Sequence, residues 1–472
     1  MSTTHTDLLI VGAGPAGMAA AVTARRQGLS VRVVDDQPAP GGQIWRGIET
    51  VAASPRLARL GEAYGAGTAS AAAFRQSGAI YEAGAQLWQI EPESRAPGIR
   101  AFVTRDGRAA SVTADALILA TGAQERPVPF PGWTLPGVLT VGAAQILLKT
   151  SDAIPEKPVW IAGCGPLPLL YMTQLLAAGG QIAGFLDTTP RGRLSASLRH
   201  LAKGVSQLGD LVKGLSWDLK LRRAGFPIVR HVTEIAAEGE ERIERLRYRT
   251  SDGRSGEAAA EVLLVHEGVV PNVHAPLSLG CRMDWQPAQQ CYVPALDAWG
   301  ETSQPMIFVA GDGAGIGGAQ AAELRGRIAG LRIAVQAGRI TEGKAEELAA
   351  GERRALKRAL SLRPFLDAYY APRAQVFAPP DETIVCRCEE VTAGDLRARA
   401  VKGRPGPNQL KAFTRAGMGP CQGRQCGYTI AHIVAAAQNR PVEEIGFYRI
   451  RPPLKPVTLG ELASLDEPEQ AA

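Results

Sequence analysis

The chain is poor in the features that define several protein classes. It holds only 7 Cys in 472 residues, which is not the disulfide framework of a secreted protein. Nowhere do about 18 apolar residues run together, so no spanning helix is expected. Its 53 Gly and 33 Pro follow no collagen-like period and form no low-complexity tract. Only Met1 to Thr6 precede the first apolar strand, too short for a charged segment, an apolar core and a cleavage site. A cytoplasmic chain is expected, at most peripheral to the inner membrane. One-sided charge is also missing: 52 Lys+Arg stand against 46 Asp+Glu, a net +6, which is too small to imply nucleic acid as a partner. The six His (His5, His200, His231, His266, His274 and His432) show no metal-ligand spacing, and each reads as a surface or core residue rather than a base. No Ser-His-Asp or paired-carboxylate arrangement can be argued from spacing, so no catalytic residue is assigned.

What is present is globular and organised. Hydrophobic residues make up 45% and charged residues 21%, which excludes disorder, and the length suggests about three domains. Leu8 to Val11 is a short apolar run that ends in Gly12-Ala13-Gly14-Pro15-Ala16-Gly17, followed by an Ala-rich helical stretch and a second apolar strand, Val31 to Val34, ending in Asp35 and Asp36. Strand, G-x-G-x-x-G, helix, strand and acid form the dinucleotide-binding βαβ fingerprint. Gly12 serves the tight turn, Gly14 lets backbone N–H groups approach a pyrophosphate, and Gly17 allows close helix packing. The helix N-terminus favours the phosphate charge, and Asp35 can accept from a ribose hydroxyl.

The motif repeats at Pro158 to Ala162, with Gly163-Cys164-Gly165-Pro166-Leu167-Pro168, a helix-like stretch and a strand ending in Asp187. Pro168 replaces the third glycine, which leaves NAD(P) at this site open against a retained but vacant fold. Cys164 is an isolated thiol, and no C-x-x-C pair is present in this unit, so simple disulfide reduction is not expected. From Arg191 to Arg230 the chain carries Arg191, Arg193, Arg199, Lys203, Lys213, Lys220, Arg222, Arg223 and Arg230, read as a solvated helical face rather than a dock for an acidic partner.

Further segments specify the first site. Gly41-Gly42-Gln43-Ile44-Trp45-Arg46 follows the acid pair, Ala120-Thr121-Gly122 follows a buried strand, and Gly311-Asp312-Gly313 follows another. These residues resemble the two-dinucleotide-domain flavoproteins that include thioredoxin and glutathione reductases. The resemblance implies FAD in the first site, with Gly42 and Gln43 bordering the flavin, Thr121 and Gly122 closing the domain, and Asp312 bonding the ribityl chain. Because Gly311-Asp312 follows the second fingerprint, the FAD domain is discontinuous, 1–154 and 272–340, with an NAD(P)-type domain inserted at 155–271.

Four cysteines fall together near the C-terminus: Cys386-Arg387-Cys388 and, 32 residues on, Cys421-Gln422-Gly423-Arg424-Gln425-Cys426. Two close thiolate pairs in a Gly-rich setting can ligate one metal centre. C-x-C with C-x₄-C favours [2Fe–2S] over zinc, which more often uses C-x₂₋₄-C, and disulfides are the poorest reading. The segment 384–433 resembles the bacterioferritin-associated-ferredoxin type of [2Fe–2S] domain, placed at 381–445 after a helical and Pro-rich linker at 341–380 and before a tail at 446–472.

With Phe130-Pro131-Gly132-Trp133-Thr134-Leu135-Pro136-Gly137-Val138, nearly the whole chain resembles the alpha-type subunit of heteromeric amino-acid dehydrogenases: opine (nopaline and octopine) oxidase, D-hydroxyproline dehydrogenase and hydrogen cyanide synthase. The fold class implied is α/β, two Rossmann-like domains of the disulfide-reductase type plus a small mainly α-helical [2Fe–2S] domain. The resemblance implies a beta subunit with its own FAD that oxidises the substrate C–N bond, and it admits a small ferredoxin-like gamma subunit. In some relatives of this architecture a non-flavin nucleotide fills the first site and an FMN lies at a subunit interface. The chain itself is expected to relay electrons from the partner to an acceptor, since a flavin takes electrons in pairs and a [2Fe–2S] centre takes them singly. Two alternatives stand beside this: a self-contained NAD(P)H-dependent flavin and iron–sulfur reductase, and a scaffold holding a structural nucleotide.

Overall fold

A computed structural model describes residues 4–92, 98–201 and 208–466. Lys203 of the basic segment and residues 467–472 of the tail lie outside the described residues.

The first sheet is built on alternation. Strands Thr4–Val11, Val31–Asp35 and Ile80–Ala83 pair in parallel, and Arg108–Leu119 flanks the first of them. Leu8, Ile10, Ala116 and Ile118 face one core, with the helices Pro15–Arg26 and Ala319–Gln336. Leu9, Val11, Leu117 and Leu119 face the other. A sheet covered on both faces needs apolar residues in both phases, which is why these strands read as continuous apolar runs. Ile307–Val309 returns after the second unit to pair with Arg108–Leu119 in parallel, so the first unit is discontinuous in the chain. The helix Ala319–Gln336 then lies close on Pro15–Arg26: a Cβ at Gly326 would fall 2.1 Å from the Ala16 carbonyl oxygen.

The second sheet is all parallel, in the order Ile228–Arg230, Ile182–Asp187, Val159–Cys164, Leu263–Glu267 and Val138–Thr140. Its edge strand thus comes from residues ahead of 155. The chain crosses between units as an antiparallel ribbon of Ala123–Glu125 with Val269–Pro271. Pro168 is buried in the first turn of the helix Pro166–Ala177, where its missing N–H is one that every helix leaves unpaired.

The C-terminal portion is mainly helical, with Ala393–Ala400, Pro407–Thr414 and Gly427–Gln438 after a two-stranded ribbon at Ile384–Cys386 and Val391–Thr392. Its apolar residues Leu396, Leu410, Ile430 and Val434 join the second core of the first sheet. This shared core sets the cysteine segments beside the first dinucleotide unit. Among the described residues no helix is long and apolar enough to cross a membrane.

Candidate functional site

A cleft of about 340 Å³ opens beyond the carboxyl ends of the first sheet, the usual ligand position in such sheets. Gly12, Gly14, Pro15 and Ala16 line it together with Asp35, Asp36, Gly42 and Gln43. Thr121, Gly122, Gly311 and Asp312 complete the set, although they lie far away in the chain. Gly17 stands behind the cleft, where a Cβ would fall 1.8 Å from the Gly12 carbonyl oxygen, so only glycine lets the helix sit this close to the turn. At Gly12 the backbone is left-handed (φ +105°) and a Cβ would lie 2.5 Å from the Ala120 carbonyl oxygen.

The carboxylates are engaged more fully than spacing suggests. Asp35 accepts the Ala13 N–H through Oδ2 and the Gln37 N–H through Oδ1 at 2.8 Å. Burial nevertheless raises its carboxyl above the ordinary value. Its first task is therefore to brace the glycine turn, and its remaining lone pairs face the cleft. Asp36 pairs with Lys455. Burial would raise the Asp36 carboxyl, and the Lys455 ammonium overcomes this and holds it below the carboxylate range. Asp312 Oδ1 accepts the N–H groups of Gly317 and Gly318 at 2.8 and 3.0 Å, just ahead of the Ala319–Gln336 helix.

Among the lining residues that belong to no sequence motif of the cleft are His274, Arg424, Leu454 and Lys455. Arg424 sits between Cys421 and Cys426, the one local signal available, and donates to the carbonyls of Cys421 (3.3 Å) and Leu454. His274 Nε2–H donates to the Gln422 carbonyl at 3.2 Å, and burial pushes its pKa down to about 3, so it is a neutral donor. Leu454 N–H donates to the Trp88 carbonyl at 2.6 Å, strapping the C-terminal passage across the first unit. The cysteine loop and this passage therefore close one side of the cleft.

The four clustered cysteines come together as two neighbouring pairs, Cys386 with Cys426 and Cys388 with Cys421. No group of three or more such side chains among the described residues has the arrangement of a closed metal cage. Gly417 N–H donates to Cys386 Sγ at 3.4 Å. The Cys426 thiol and this N–H draw the Cys386 pKa down to about 6, while Cys426, its hydrogen-bonded and buried partner, is pushed well up. A Cβ at Gly419 would fall 2.3 Å from Cys388 Cβ, so glycine permits the loop to fold against the first pair. Four thiols, one already favoured as thiolate, in a glycine loop that offers N–H groups to sulfur, fit an iron–sulfur centre by their donor chemistry. Cys164, Cys281 and Cys291 are buried apart from this cluster and burial raises each thiol, which leaves them inert.

A second, larger cavity of about 1060 Å³ lies between the two sheets and shares Gln43, Ile44, Ala123, Val269 and Gly318 with the first cleft. Gly165 of the second fingerprint lines it. Gly163 does not, and lies against the His266 backbone, where a Cβ would meet the carbonyl oxygen at 1.9 Å. Asp187 lines neither cavity, and its carboxylate accepts the Thr189 N–H at 2.9 Å. On the cavity wall, His266 Nδ1–H donates to Glu125 at 2.7 Å, and Glu125 also accepts the Gly142 N–H at 3.0 Å. Arg373 pairs with Glu267 at 2.7 Å. Lys149 Nζ donates to the Gln43 carbonyl at 3.1 Å and to Gln145 at 2.9 Å, and burial pushes its ammonium down to about 7.

The sequence matches the pyridine nucleotide-disulphide oxidoreductase family over residues 6–181 and the sarcosine oxidase A3 domain over residues 381–465. It is 43% identical over 470 residues to the opine oxidase A-subunit of Agrobacterium tumefaciens (strain Ach5), covering 98% of this chain and 93% of the relative. Hydrogen cyanide synthase subunit HcnB of Pseudomonas protegens is 33% identical, with coverage of 97% and 98%. Among solved structures, L-proline dehydrogenase from P. horikoshii superposes with a TM-score of 0.72 at 20% identity, covering 98% of this chain and 80% of that one. Thioredoxin reductase of T. acidophilum reaches 0.52 at 17% identity, covering 71% and 99%. These two likenesses show an α/β fold of the FAD/NAD(P) disulfide-reductase type. Identity above 40% over an alignment covering 98% of the chain, nucleotide units and cysteine-bearing C-terminal portion included, shows that the chain belongs to the opine oxidase A-subunit family.

Proposed function

We propose that this chain is the flavoprotein subunit of a heteromeric amino-acid dehydrogenase, binding FAD in the first cleft and a [2Fe–2S] cluster on Cys386, Cys388, Cys421 and Cys426, and relaying electrons from a substrate-oxidising partner. One observation carries the reading: Arg424, inside the second cysteine pair, is itself a wall of the dinucleotide cleft. A centre held by that loop would stand against whatever the cleft binds, which favours transfer between them. When bound, the flavin and the cluster would convert paired into single electrons. The chain's residues do the holding: Gly12, Gly14 and Gly42 open the backbone to a pyrophosphate, Asp35 braces the turn, and Gly417 N–H stabilises charge on sulfur.

The partners proposed are a beta subunit with its own FAD that oxidises an opine or related amino acid, and a small ferredoxin-like subunit. The relatives' names support other subunits as partners. The larger cavity offers room for an FMN completed at a subunit interface. Purified chain should yield FAD by mass after extraction and a one-electron-reduced [2Fe–2S] signal by electron paramagnetic resonance. Amino-acid oxidation by the chain alone would overturn the relay.

A second reading, hydride entry from NAD(P)H, rests on Gly165 lining the cavity that adjoins the first cleft. Bleaching of flavin absorbance by anaerobic NADH within milliseconds would favour it. The displaced Asp187 argues against it.

A further inference from the structure

The basic stretch that reads as an ordinary solvated face has an unexpected apolar content. In the helix Leu208–Arg223, Val212, Leu215 and Leu219 are 65%, 69% and 48% exposed. Their spacing of three and four residues makes one continuous stripe. Leu194 and Leu198 of the separate helix Arg193–Leu198 are also exposed, at 55% and 50%. Five of the fifteen large apolar side chains exposed among the described residues thus come from these two helices. The helix is held from its other side, where Leu221 is buried, so the stripe does not face its own core.

Position gives this stripe meaning. Lys213, Trp217 and Lys220 of the same helix line the large cavity, and both lysines are exposed to solvent, so this helix forms part of the cavity mouth. Ile44, 41% exposed, lies on the rim from the first unit. Basic residues outnumber acidic ones around the stripe: Lys213, Lys220 and Arg223 have no acidic partner among the described residues, while Arg222 and Arg230 share Asp218. Contiguous exposed apolar surface with a polar rim marks an interaction site.

We propose that this face docks a partner subunit, one that presents an apolar patch rimmed by Asp and Glu and seals the mouth of the large cavity. The inference rests on the reading of the chain as one subunit of a heteromer, and it names the surface that reading leaves open. The apolar stripe supplies the desolvated centre of the contact, and the cationic rim steers encounter and selects against basic surfaces.

The test mixes purified full-length chain with the purified FAD-containing, substrate-oxidising subunit, with binding measured by sedimentation velocity. Leu215→Glu with Leu219→Glu should weaken the complex at least about tenfold by placing two desolvated charges in the contact. Leu459→Glu, at a site 85% exposed on a helix that packs against the first sheet, should leave binding unchanged. All variants should keep the melting temperature and nucleotide content of the parent, because none of the altered side chains belongs to a buried core. Lys220→Glu should slow association and flatten its salt dependence. A photo-crosslinking amino acid at position 219 should label the FAD-containing subunit. Unchanged affinity in the double variant would overturn the proposal, as would labelling only of a second copy of this chain, or binding of anionic phospholipid vesicles that the double variant abolishes. Failure of the relay would appear separately, in the paramagnetic signal and its reduction, with docking intact.

Discussion

The pair Arg373–Glu267 is the sharpest place to test how the segment beyond residue 341 is tied to the second nucleotide unit. The two side chains are 6% and 2% exposed, and Arg373 Nε lies 2.7 Å from Glu267 Oε1. Arg373 also donates to the Thr233 carbonyl. Among the described residues, the other Glu267 oxygen accepts only the Cys164 thiol, at 3.6 Å. Arg373→Met would leave a buried carboxylate with one weak donor, and breaking such a pair costs about 3–5 kcal/mol. Glu267→Leu, which strands the guanidinium, should cost about the same. Replacing both partners removes both charges, so the double variant should be within about 1 kcal/mol of the parent, giving a coupling of roughly 5 kcal/mol or more. Native-state hydrogen exchange at the amides of the strand Leu263–Glu267 reads the local opening energy. Protection there should fall by about two to three orders of magnitude in each single variant, at about 1.4 kcal/mol per tenfold, and recover in the double. Single variants that lose less than about 1 kcal/mol, or a double variant as weak as the sum of the singles, would refute the reasoning.

Three further outcomes follow from the same geometry. Gly17→Ala must push the Pro15–Arg26 helix off the Gly12 carbonyl, and equilibrium titration should show nucleotide binding in the first cleft weakened by at least about tenfold, about 1.4 kcal/mol. Cys386→Ser removes the sulfur that accepts the Gly417 N–H, and iron and labile sulfide should fall below half of the parent's content while Cys281→Ser leaves them unchanged. Lys149 has a folded pKa lowered from 10.5 to about 7, so above pH 7 the unfolded chain binds more protons and stability rises with pH until about 10.5. In Lys149→Met that alkaline rise should be lost, as denaturant midpoints measured at pH 7 and pH 9 would show.

The histidines illustrate where legibility in the sequence stops. Spacing assigns no metal site among them, and it gives no sign that His274 and His266 line the two cavities, each held by a residue more than a hundred positions away: Gln422 for one and Glu125 for the other. Asp35 was legible as the acid of the fingerprint, but its bond to the Ala13 N–H depends on how the turn folds back. Likewise the basic stretch 191–230 reads as solvated by composition, and only the helix placement reveals an apolar stripe beside a cavity mouth.

The sequence by itself determined the two nucleotide-type units and the clustering of four cysteines, while the fold pairs Cys386 with Cys426 and Cys388 with Cys421. The units and the clustering depend on short-range spacing: glycine where a Cβ would strike a carbonyl, apolar residues in both phases of a doubly covered strand, and thiols two and five positions apart. Tertiary structure alone decided that Arg424 and Lys455 wall the first cleft, that Glu125 meets His266 and Glu267 meets Arg373, and that the cysteine loop stands against the dinucleotide site. The physical reason is that these contacts follow from a hydrophobic core shared between the first sheet and the C-terminal helices. Burial of Leu9, Leu117, Ile430 and Val434 in one interior brings the polar groups around them into register, and no local pattern encodes that meeting.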